Sequence, residues 1–165
     1  MNKRIKSITL VGILSAVAII FSYIELLLPP IYAAVPGVKV GLPNIVIILS
    51  LYRIGVKKTA AVSFIRLTIS ALLFNPSTFI YSLAGAVLSL LVMALLKKSE
   101  KFSTLGTSIA GGVMHNLGQT LVAMCILETA EIGYYMFILS ISGTLAGIFV
   151  GLASAFVIKK LKINY

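Results

Sequence analysis

The sequence predicts an all-α integral membrane protein, with six transmembrane helices in one compact bundle and both termini in the cytoplasm. Three observations predict this. Of the 165 residues, 59% are hydrophobic and 11% charged, against roughly 45–50% and about 25% in a soluble domain. The apolar residues gather into six runs bounded by turn residues or short basic clusters, and the mean hydropathy is +1.10. Threading the runs back and forth puts every basic cluster on one side, which is the positive-inside pattern. A net charge of +10 would suit nucleic acid if it formed one basic face. Split into clusters beside apolar runs, it predicts contact with membrane lipid and no nucleic-acid partner. No polar stretch is long enough for a second domain, so residues 1–165 read as one.

The first span is expected over 8–28, after Lys3, Arg4 and Lys6. It is longer than the roughly 7–15 apolar residues of a signal peptide and lacks a convincing cleavage site, so it reads as uncleaved. Gly12 and Ala16 form a small-xxx-small pair that permits close helix contact. Glu25, near the outer end, reads either as an interfacial residue or as the rim of a site. Pro29-Pro30 stops the helix, and Ile31 to Val40 makes an outer loop that turns at Pro36-Gly37. Lys39 in that loop is either solvated or meets an anionic ligand group.

The second span is expected over 39–55, with Pro43 in the first turn and Asn44 just inside. Its apolar part is short for a membrane, which needs about 20 residues. It spans with Arg53 snorkelling, or it forms a re-entrant pair with the next segment. Lys57 and Lys58 lead into a third span over 59–74, with Arg66 near its middle. An arginine at that depth needs a helix-end carbonyl, a polar side chain, water or an anionic ligand group. Asn75-Pro76-Ser77-Thr78 is a turn in which Asn75 or Ser77 can cap the fourth span, over 79–96. Lys97, Lys98 and Lys101 follow on the cytoplasmic side.

The fifth span, over 105–127, holds the stretch Gly111-Gly112-Val113-Met114-His115-Asn116-Leu117-Gly118-Gln119. His115 and Gln119 lie one turn apart on one helical face. Intramembrane polar groups mark ligand sites or pathways, but they also serve as hydrogen-bonding glue between helices. Both readings stand for His115, Asn116 and Gln119. The third and fifth spans run in the same direction, which puts Arg66 and His115 at similar depth. The sixth span is expected over 136–158, after Glu128, Glu131 and the interfacial pair Tyr134-Tyr135. Gly143, Gly147, Gly151 and Ala155 recur every fourth residue, a stripe suited to internal packing.

Several chemistries lack their residues. There is no phosphate-binding loop, dinucleotide turn or HExxH helix, and no GxSxG elbow or kinase set. The four acidic residues are all glutamates and are dispersed, so no aspartate-rich Mg²⁺ site of the soluble prenyl transferases can form. Cys125 is the only cysteine, which rules out an internal disulfide or a cysteine metal cluster. The chain is therefore expected to have no catalytic or metal site and no cofactor of its own.

Two stretches carry a resemblance. Pro36-Gly37-Val38-Lys39-Val40-Gly41-Leu42-Pro43-Asn44-Ile45-Val46 and Gly111 to Gln119 look like the signatures of the bacterial Gx transporter family. That family is also labelled heptaprenyl diphosphate synthase component I. Pro43 stands where the family form usually has alanine. The family is similar to the substrate-binding S components of energy-coupling-factor (ECF) transporters. These are six-helix proteins of the bacterial cytoplasmic membrane that bind a small molecule near the outer face. They work with a transmembrane coupling subunit and ABC ATPases, which use the ATP. The resemblance implies a substrate site of Arg66, His115, Asn116 and Gln119, with Lys39, Asn44, Asn75 and Glu25 nearer its mouth. It also implies that Gly12 and Ala16 dock the coupling subunit. A membrane accessory role in heptaprenyl diphosphate or quinone synthesis, or in a flavin-dependent redox system, is the alternative.

Overall fold

A computed structural model describes residues 3–28 and 40–160. Six α-helices follow in order: α1 (Lys3–Leu27), α2 (Leu42–Ile54), α3 (Val56–Leu73), α4 (Phe79–Ser99), α5 (Thr104–Leu127) and α6 (Tyr135–Lys160). Short 3-10 turns over Pro76–Thr78 and Ala130–Tyr134 lead into α4 and α6, and there is no strand among the described residues. The Pro29-Pro30 stop, most of the 31–40 loop with Lys39, and Lys162 lie outside the described residues.

Four stretches are long and apolar enough to cross a membrane: Arg4–Leu27, Pro76–Ser99, Thr104–Leu127 and Ala130–Lys160. The surface they present fits lipid better than water. Ile8, Leu27, Leu95, Phe137 and Phe156 are each more than 60% exposed, and apolar patches of that kind mark a membrane or partner surface. The chain is an all-helical, multi-pass membrane protein.

The second helix departs from the expected 39–55. It has 13 residues, about 20 Å at 1.5 Å per residue, against a hydrocarbon core of about 30 Å. Gly41 holds a left-handed conformation, with φ 83° and ψ 28°, and delays the helix start to Leu42. At its other end a single residue, Gly55 (φ 83°, ψ 167°), reverses the chain into α3. L-residues rarely adopt that conformation. Apolar on nearly every side, α2 is the most deeply buried helix. Val46, Ile47, Ile48, Leu49, Leu51 and Ile54 pack against Leu14 and Ala18 of α1, Val62 of α3, Met93 of α4 and Val150 of α6. A short apolar helix of this length is expected to be a core element.

Helix contacts run from α1 through α3, α4, α5, α6 and α2 back to α1, closing a ring, and α2 also touches α3. The basic end is clamped by its own cations. Arg53 does not snorkel freely: its guanidinium donates to the Ile158 carbonyl in the last turns of α6. Lys97 Nζ donates to the Leu51 carbonyl at 2.5 Å and lies 5.2 Å from the Tyr52 ring centroid. Tyr52 in turn donates to Thr107 at 3.1 Å. Two cations thus meet carbonyls at helix C-terminal ends, where the dipole favours them.

Small residues set the α5–α6 contact. A Cβ on Gly147 would fall 2.6 Å from the Ile109 Cα, and one on Gly143 2.8 Å from the Gly112 carbonyl oxygen. Gly143, Gly147 and Gly151 are buried, whereas Ala155 is exposed. Each step of four overshoots a full turn by about 40°, so the fourth member of the stripe rotates out of the interface. Ser154 takes the buried position there and donates to the Ile45 carbonyl at 3.4 Å. Capping also differs from expectation. Thr78 precedes α4 without a side-chain cap, and Ser77 Oγ donates to Asn75 Oδ1 at 2.6 Å instead.

Candidate functional site

At the end opposite the basic clamp the ring opens into a cavity of about 430 Å³, to which all six helices contribute. Ordinary small-molecule pockets measure roughly 300–1,000 Å³. Seven of the eight expected site residues line it: Glu25, Asn44, Arg66, Asn75, His115, Asn116 and Gln119. The eighth, Lys39, lies outside the described residues.

On α3, Arg66 faces the cavity, and its Nε is buried without a hydrogen-bond partner among the described residues. Ser70, one turn further along the same face, is in the same condition at its Oγ. On α5, the His115 and Gln119 face is admitted by Gly85 of α4. A Cβ there would sit 2.6 Å from the His115 carbonyl oxygen and 2.9 Å from Gln119 Cγ. The backbone of α4 thus closes directly on these two residues, and no larger residue fits at that position.

Asn116 does two things. Its Nδ2 donates to the Leu139 carbonyl at 2.6 Å, joining α5 to α6, while the residue also lines the cavity. The inter-helix hydrogen bond and the cavity lining therefore fall to one side chain.

Glu25 is neither a simple interfacial residue nor a bare rim. Its Oε1 accepts the backbone N–H of Gly41, and that of Leu42 at 3.2 Å. A carboxylate at a helix N-terminus satisfies donors that the helix leaves unpaired and meets the positive end of its dipole. Glu25 also lines the cavity, and its charge acts on Arg66. Asn44 sits in the first turn of α2, and Asn75 at the mouth spends its amide oxygen on Ser77.

Sequence reasoning missed Ser22, Ser70, Thr78 and Ser82, which also line the cavity. Ser70 was findable, since Arg66 and Ser70 stand at the i, i+4 spacing of one helical face. Ser82 carries no comparable local signal. Among the described residues no three His, Cys, Asp or Glu side chains gather into a possible metal site.

Fold and site together define a membrane helical bundle that encloses a polar chamber near one face. Within that class, the chain belongs to the heptaprenyl diphosphate synthase component I family, whose sequence model matches residues 14–157. Comparison with curated proteins and with solved structures returns no match.

Proposed function

We propose that this protein is a six-span substrate-capturing subunit of an ECF-type importer in the bacterial cytoplasmic membrane, with both termini in the cytoplasm. One observation carries the reading: the 430 Å³ cavity gathers polar side chains from five of the six helices and opens opposite the basic end. A membrane protein that only scaffolds its neighbours has no need of such a chamber, because buried polar groups cost stability unless they are used. The ligand is a vitamin-like or other small metabolite that enters from outside. Arg66, His115, Asn116 and Gln119 hold its inner part, and Asn44, Asn75, Glu25 and Lys39 its outer part. The chain performs no catalysis and holds no cofactor. Gly12 and Ala16 are both exposed, and a Cβ on Gly12 would meet nothing within 4 Å. They form the docking line for a coupling subunit whose ABC ATPases use the ATP.

Native mass spectrometry of gently purified protein tests this. A stoichiometric small-molecule adduct, displaced by one metabolite class, is the expected result. Folded protein that carries no adduct and ignores a metabolite panel in thermal-shift assays would count against it.

The family's description favours a second reading, an accessory membrane subunit for heptaprenyl diphosphate synthesis. Prenyl-transfer activity that depends on this chain would support it. The absence of aspartate from the sequence means that a partner would supply the Mg²⁺-binding carboxylates.

A further inference from the structure

The α2 N-terminus presents few donors to the cavity. Pro43 has no N–H, and the Asn44 N–H is spent on the Gly41 carbonyl at 2.9 Å. The N–H groups of Gly41 and Leu42 remain, and both end on one oxygen of Glu25. A helix N-terminus is an anion site by its dipole and its unpaired N–H groups. Across the same cavity stand the Arg66 Nε and the Ser70 Oγ, both buried and without a hydrogen-bond partner among the described residues. These four donors border one chamber, and a side-chain carboxylate engages two of them.

We propose that the first turn of α2, Arg66 and Ser70 form an anion-binding cradle for which the Glu25 carboxylate competes with a carboxylate or phosphate group of the ligand. The proposal deepens the capture reading and rests on it. An incoming anion replaces Glu25 on the Gly41 and Leu42 N–H groups one for one, so no backbone donor is left unpaired. It also gains the two idle donors on α3, which Glu25 does not engage. Glu25 is half-buried in the last turns of α1, from which its side chain can turn to water. A neutral polar ligand has no such exchange to make. The cradle therefore selects anions, and Glu25 sets the threshold that weak ones do not pass.

The protein has only four side-chain carboxylates, Glu25, Glu100, Glu128 and Glu131. Full-length protein in lipid nanodiscs, labelled with ¹³C at the glutamate carboxyls, thus yields four resolvable signals, and Glu25→Gln assigns one of them. Inorganic phosphate and acetate are the probes. Phosphate is expected to move the Glu25 signal saturably and leave the other three in place. Glu25→Gln removes the competing charge and leaves only a weaker, neutral acceptor near the α2 N–H groups. A competing conformer that leaves the cradle free roughly 0.1–10% of the time weakens apparent binding in proportion, so this variant gains about tenfold or more in phosphate affinity. Ser70→Ala lowers that affinity and Arg66→Gln abolishes it.

Saturable phosphate binding that leaves the Glu25 signal unmoved overturns the cradle, as does an unchanged or weaker affinity in Glu25→Gln. So does the absence of saturable binding by either anion. Should Arg66→Gln fail to fold, the wild-type titration and Glu25→Gln decide alone. A metabolite adduct that persists while neither anion displaces Glu25 removes the cradle and keeps the capture reading. Displacement of Glu25 by phosphate, with no metabolite ever captured, does the reverse.

Discussion

Arg66 and His115 both border the cavity. Counting residues from the basic clusters was enough to place them together, because two helices running the same way advance equally per residue. Arg66→Lys tests what the guanidinium contributes. A lysine keeps the charge but loses the planar fork, so the co-purified ligand should survive at reduced occupancy, while Arg66→Gln should lose it. Full occupancy in both variants would place Arg66 in an internal network instead. Asn116 offers a contrasting case. Asn116→Leu removes the hydrogen bond to the Leu139 carbonyl and should cost about 1 kcal/mol, the usual scale for a polar contact between membrane helices. Reversible unfolding in detergent measures this, and an unchanged stability would show that the contact is not glue. The partner of Glu25 was not legible, since it depends on backbone N–H groups 16 and 17 positions further along the chain.

Among the helices, close approach is decided by glycine. A Cβ on Gly118 of α5 would lie 2.8 Å from the Ala84 carbonyl oxygen of α4, and a backbone atom cannot step aside as a side chain can. Gly118→Ala should therefore destabilise the bundle by about 1–3 kcal/mol, the range for overpacking. Gly12→Leu, on the open face of α1, should leave the thermal midpoint unchanged. If the docking assignment is right, Gly12→Leu protein stays folded and binds its ligand but no longer co-purifies with its coupling subunit. Retained co-purification would move that surface elsewhere. Helix existence was legible from apolar runs and basic punctuation. The start of α2 was not, because the left-handed Gly41 and the Glu25 cap act through φ and a tertiary contact.

The whole molecule has two unlike ends. Arg53, Lys97 and Tyr52 tie helices together at the basic end, and the other end holds the cavity along with the outlying Glu128 and Glu131. A clamped base and an open mouth suit a protein that admits a ligand from one side only. Single cysteines placed at Glu131 or at Glu100, in a Cys125→Ser background, test the orientation in intact cells. A membrane-impermeant maleimide should label the first and spare the second. The opposite pattern would invert the bundle, and labelling of both would break the six-span reading.

Composition, run length and charge clustering by themselves determined that the chain is helical, that it belongs in a membrane and where its polar residues fall along each helix. These are properties of short segments, and hydrophobic transfer and the positive-inside bias act on segments. Only the tertiary structure decided that α2 is a buried core helix, that the glycine stripe of α6 ends at Gly151, and that Glu25 meets the α2 N-terminus. Each of those depends on which surfaces face one another, and a side chain's partner across the ring has no local signature in the chain.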